Sequence, residues 1–254
     1  MRVFAVSDIH IDYDVNAKWV AGLSTAEYQD DVLILAGDVT DSAMQLGWCL
    51  RTLANRFKKV LFVPGNHDLW VIRDGPAKSS LQKFDEVRVV TEESGASMQA
   101  FYGQGLSIIP LLSWYDYTFG HPSQELRSTW MDFRACRWPA GYTDEGVAAY
   151  FAAINEKQAG PAAHGTVITY SHFLPRIDLM PRLVPASGRI LYPILGSAGL
   201  DQELRSLNSS IHVYGHSHIN RHVTIDGVTY INNAFGYPNE TWIASKRLMC
   251  IREC

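Results

Sequence analysis

Asp8-Ile9-His10, Gly37-Asp38, Gly65-Asn66-His67-Asp68, His172 and Gly215-His216-Ser217-His218 are five short pieces, far apart in the chain, that carry carboxylate, carboxamide and imidazole groups. Together they supply enough oxygen and nitrogen donors for two metal ions. Each piece alone is a weak signal, because an Asp-x-His pair arises readily by chance in a chain with this much Asp and His. The ordered set is a strong one, and Gly-Asn-His-Asp is its rarest member. Mixed imidazole and carboxylate donors without thiolate suit manganese, iron, zinc, cobalt or nickel, and of these manganese or iron is expected here.

Each piece follows an apolar run that reads as a buried strand. Residues 3–6 precede Asp8, residues 32–36 precede Asp38, and residues 60–63 precede Asn66. Helical spacing over 16–29 and 42–57 separates these runs, which gives β-α-β-α-β and so neighbouring parallel strands with right-handed crossovers. Sites in open α/β sheets lie beyond the carboxyl ends of the strands, so three strands deliver their side chains to one rim. A second set follows, with 166–170 before His172 and 211–214 before His216. Runs 221–225 and 228–231 are then joined by Asp226-Gly227, a two-residue hairpin signal. Glycine precedes Asp38, Asn66 and His216, where a sharp turn and a close backbone approach are needed.

In this order the pieces resemble the calcineurin-like metallophosphoesterase superfamily, whose pattern runs Asp-x-His, Gly-Asp, Gly-Asn-His-Asp/Glu, His, Gly-His-x-His. Every element is present between residues 8 and 218. The resemblance implies an α/β fold, a four-layer α-β-β-α sandwich of two mixed sheets flanked by helices. It implies one metal held by Asp8, His10, Asp38 and His218 and another by Asp38, Asn66, His172 and His216, with Asp38 bridging. It also implies a phosphoric ester hydrolase in which a metal-activated water attacks phosphorus in line while His67, not a ligand, protonates the leaving group. Asp68 is expected to orient the His67 ring and favour its protonated form. His121, His164, His212 and His222 fall outside the pattern and read as surface or core residues.

Departures narrow the class. Purple acid phosphatases place a tyrosine where this chain has Asp41, and protein serine/threonine phosphatases place arginines where it has Ser42 and Pro64. What remains is a phosphoesterase acting on a small phosphorylated substrate: a monoester, a nucleotide diester or a pyrophosphate. Candidate phosphate-holding groups are Arg134 and Arg137, beside Trp138, and Arg176, Arg182 and Arg189 in the proline-rich stretch after His172. A nuclease is a rival that calls for a basic groove or a DNA-binding partner domain. A non-catalytic interaction module is another, and loss of ligands or of His67 would mark it.

The whole chain fits these expectations. With 254 residues, 47% hydrophobic and 19% charged, a single domain over 1–254 is expected. A net charge of −4 argues against a long nucleic acid as main partner. No apolar run approaches the ~20 residues of a membrane helix, and the N-terminus enters a strand without a leader, so a cytoplasmic location is expected. The four cysteines lack metal-knuckle or redox spacing and read as reduced thiols. Residues 101–142 carry ten of the 29 aromatics, which is either a satellite core under an insertion or a cap that presents aromatic faces to substrate.

Overall fold

Short apolar runs with no polar alternation need cover on both faces, and two facing sheets with helices outside provide it. In the computed structural model, which describes residues 1–103, 105–157 and 165–254, Val3, Ala5, Leu33, Ile34, Leu35, Val60, Leu61 and Val63 are wholly buried. The strands are β1 (Arg2–Val6), β2 (Val32–Ala36), β3 (Lys59–Val63), β4 (Phe101–Gly103), β5 (Leu106–Pro110), β6 (Thr166–Tyr170), β7 (Ile211–Tyr214), β8 (Arg221–Ile225), β9 (Val228–Asn232) and β10 (Met249–Glu253). One sheet runs β10-β1-β2-β3 and the other β4-β5-β6-β7-β9-β8. β1, β2 and β3 pair in parallel, as do β5, β6, β7 and β9, while β10, β4 and β8 add antiparallel edges. β2 faces β7 and β3 faces β5, so the core lies between the sheets.

The helices are α1 (Asp14–Gly22), α2 (Ala43–Ala54), α3 (Ser80–Glu93), α4 (Gln124–Thr129), α5 (Asp132–Ala135), α6 (Asp144–Lys157), α7 (Ala186–Arg189) and α8 (Ala198–Ser206). α1 stops well short of the expected end at Gln29. The Ser24 hydroxyl accepts the Ala26 and Glu27 N–H groups at 3.3 and 3.1 Å, and that local turn competes with continued helix. Asp226 and Gly227 both have positive φ, 49° and 84°, as a type I′ hairpin requires. Residues 101–142 are not all insertion, because Phe101–Gly103 and Leu106–Pro110 are β4 and β5 of the second sheet. No described helix is long and apolar enough to cross a membrane, and the four cysteines are free.

Candidate metal centre

The carboxyl ends of β1, β2, β3, β6 and β7 point to one rim, and the seven expected ligands lie just beyond them. Five of these, Asp8, His10, Asp38, His216 and His218, have left-handed φ of 53°, 42°, 54°, 67° and 54°. Such a conformation costs a non-glycine residue about 1 kcal/mol or more, and it concentrates where surrounding bonds over-determine the chain. Here the surroundings do so. The Asn16 amide holds the Ile9 and Gly236 carbonyls at 2.7 and 3.1 Å, and the Asp8 carboxylate accepts the His216 N–H at 3.0 Å. Gly65 is needed for space, since a Cβ there would sit 2.7 Å from the Asp38 nitrogen and from His172 Cε1.

The donors converge in two groups that share Asp38. Ligand atoms of Asp8, His10, Asp38 and His218 lie within 4.8 Å of one another, and so do those of Asp38, His172 and His216. Asn66 joins the second group, its Oδ1 lying 3.0 Å from His172 Nε2. The ring nitrogens show what the groups are built to hold. His172 Nδ1 lies 2.9 Å from the Ala36 carbonyl, His216 Nε2 lies 3.0 Å from the Ile194 carbonyl, and His218 Nδ1 lies 2.6 Å from the Glu240 carboxylate. Each of those nitrogens must therefore donate, and in the neutral rings of His172 and His216 this leaves the other nitrogen as a lone pair. Yet His172 Nε2 faces His216 Nδ1 at 3.2 Å, and His218 Nε2 faces His10 Nε2 at 3.1 Å. The facing lone pairs of His172 and His216 repel unless a cation lies between them, so the second group fits a metal, and the first fits one through its two buried carboxylates and two imidazoles.

The electrostatics agree. Burial, with the neighbouring Asp8 and Asp68, pushes Asp38 well above the usual carboxylate range, while burial pushes His10, His172 and His216 down, keeping them neutral. Burial also opposes charge on His218, but Asp8 and Glu240 outweigh it and raise that ring to about 10. Two acids and several imidazoles so close need a compensating positive charge, which divalent ions provide.

His67 stands beside the donors. Its Nε2 lies 3.8 Å from Asp38 Oδ2, and its ring stacks on Trp70 with centroids 3.7 Å apart. Burial, with His172 and His218 nearby, pushes it down to about 3. Asp68 does not hold this ring, contrary to the expectation from sequence. Its Oδ2 accepts the Asp38 and Gly65 N–H groups at 2.9 and 2.8 Å, and its Oδ1 accepts those of Val39 and Thr40 at 3.0 Å. It clamps the two metal-bearing loops together, and with four N–H partners its oxygens are saturated.

Four of the expected arginines have partners within the fold. Arg137 donates to the Gly75 and Lys78 carbonyls, Arg134 to the Ser128 carbonyl, Arg189 to the Val184 carbonyl, and Arg176 to Asp178 and Asp226. Their side chains brace loops. Trp138 packs edge-on against the buried Trp114, whose ring also meets Tyr115 and Phe173, so this part of the aromatic stretch extends the main core and does not form a separate one. His212 is a core residue between Thr169 and Ser171, and His121 and His222 are exposed. His164 lies outside the described residues. Sequence reasoning missed Glu240 and Asp132. Glu240 meets His218, and Asp132 accepts from Asn66 Nδ2 at 2.9 Å.

Fold and donor set together define a metal-dependent phosphoesterase. Residues 1–220 match the family described as calcineurin-like phosphoesterase, and the chain belongs to it. Over 269 aligned residues it is 28% identical to the [acyl-carrier-protein] phosphodiesterase PptH of Mycobacterium tuberculosis, covering 99% of this chain and 82% of that protein. The crystal structure of phosphopantetheinyl hydrolase (PptH) from the same organism superposes with a TM-score of 0.77 at 24% identity, over 95% of this chain and 93% of that one, which attests the shared fold.

Proposed function

We propose that this chain hydrolyses a phosphodiester, and that its substrate is a phosphopantetheinyl group joined to a carrier protein. The observation that carries the chemistry is the pair of donor groups sharing Asp38. Asp8, His10, Asp38 and His218 would hold one ion and Asp38, Asn66, His172 and His216 the other, with manganese or iron favoured by the donor types. Bound ions of this kind activate water at neutral pH and neutralise charge on phosphoryl oxygens. His67, at the edge of the cluster, would give its proton to the departing oxygen. Its half-buried ring is neutral in the free protein, and an anionic ester beside it would favour the protonated form.

Two arguments support the diester. The relative that aligns along 99% of this chain is named for that reaction on an acyl carrier protein. In addition, Arg134, Arg137, Arg176 and Arg189 are engaged by carbonyls and carboxylates. A singly charged diester makes less demand on such a site than a doubly charged monoester.

The test is a panel of phosphopantetheinylated carrier protein, an aryl phosphodiester and an aryl phosphomonoester, with and without manganese. Release of phosphopantetheine with recovery of the unmodified carrier is expected, as is loss of turnover in chelator and poor rescue by magnesium. A monoester cleaved faster than either diester would refute the reading.

A further inference from the structure

Asp132 begins α5, outside every motif of the metal set, and is 2% exposed. Its Oδ1 accepts from Asn66 Nδ2 at 2.9 Å and from the Trp70 indole N–H at 2.8 Å, and its Oδ2 accepts from the Trp130 indole N–H at 2.7 Å. The first of these bonds has a chemical consequence. A carboxamide presents oxygen on one side and NH₂ on the other with nearly the same shape, so hydrogen bonding decides which side faces a neighbour. A carboxylate only accepts, so the NH₂ of Asn66 must face Asp132. That turns Asn66 Oδ1 toward His172 Nε2, 3.0 Å away, where an ion would sit. A flipped amide would set oxygen against oxygen and point N–H groups at the cation.

The same carboxylate reaches the proton donor. Trp70 is held by Asp132 Oδ1 and stacks on His67 with an interplanar angle of 28°. Trp130, held by Oδ2, stands edge-on to His216 with centroids 6.0 Å apart. On the other side of Asp38, Glu240 bonds His218 and has no counterpart in the motifs either. We propose that Asp132 is the positioning residue of the second metal group and of His67, and that Glu240 does the same for the first group, so that segments outside the motif set tune the two metals separately.

The inference rests on the two-metal reading, and the experiment separates their failures. Metal-free protein is titrated with manganese or cobalt, and stoichiometry, affinity and melting temperature are measured for the wild type, Asp132→Asn, Glu240→Gln, their double variant and Trp130→Phe. Each single carboxylate variant should weaken one ion by about 10- to 100-fold and leave the other unchanged. The double variant should weaken both, and Trp130→Phe, which keeps the Asp132–Asn66 bond, should weaken neither. In turnover, Asp132→Asn should lose more with an alkyl than with an aryl leaving group, which a general loss of fold would not produce.

A double variant that still holds one ion tightly would overturn the separate roles, as would Asp132→Asn binding two ions like the wild type or Trp130→Phe losing an ion to the same extent. A wild type that binds no metal would overturn the two-metal reading itself. Should Asp132→Asn fail to fold, side-chain amide exchange in the wild type decides: slowly exchanging Asn66 NH₂ protons are expected, and rapid exchange would overturn the assignment.

Discussion

Replacing Asp68 by asparagine separates two roles for this residue, and the structure sets the size of the effect. Oδ1 accepts the Val39 and Thr40 N–H groups and Oδ2 accepts those of Asp38 and Gly65. An amide keeps one oxygen, so whichever way it turns, two buried N–H groups face an NH₂. Each unsatisfied buried donor costs about 1–3 kcal/mol, which sums to about 2–6 kcal/mol. In a chain of this size about 1 kcal/mol corresponds to roughly 2–4 °C, so a fall in melting temperature on the order of 10 °C is expected. Measured in chelator, that fall reports on the loop clamp without contribution from bound ions. Turnover of the remaining folded protein should drop for alkyl and aryl diesters alike. If instead the melting temperature held and only the alkyl substrate suffered, Asp68 would be acting on His67 and the clamp reasoning would be refuted.

His67→Ala should retain both metals and lose about 10²-fold or more in rate with a poor leaving group, and much less with an activated aryl ester; metal analysis beside kinetics checks it. Trp138→Ala removes a ring packed on Trp114, so it should lower stability by about 3 kcal/mol and reduce all substrates equally, and a selective rise in KM for one ester would instead restore the cap reading. Glu203 is raised to about 7, chiefly by burial, from an ordinary 4.5. The fold thus favours the protonated form, and stability should decline as pH rises from about 4.5 through about 7. Glu203→Gln should flatten that decline, gaining about 2 kcal/mol at pH 8 and almost nothing at pH 4 in urea unfolding; an equal effect at both pH values would exclude Glu203 as the cause.

The chain's own residues announce the strands and the donor set because both are local. An apolar run of four or five residues followed closely by a glycine and a donor carries its buried strand, its turn and its donor within one short window, and the structure gathers Asp38, Asn66 and His216 where those windows end. The hairpin at Asp226-Gly227 is legible for the same reason, since positive φ at two successive positions selects those residue types. β10 was not legible, because its partner β1 lies at the far end of the chain and its own alternation is short.

Asp132 and Glu240 could not be read from spacing either. Asp132 reaches Asn66 across 66 residues and Glu240 reaches His218 across 22, and a single buried carboxylate leaves no periodic trace. Asp68 was legible as a motif member but not in its role. The sequence places it next to His67, whereas the four backbone N–H groups that claim it are brought together only when the β2 and β3 loops meet. Side-chain type and local order determine which groups can bind a metal, while the tertiary fold decides which neighbour each remaining hydrogen-bonding atom finds.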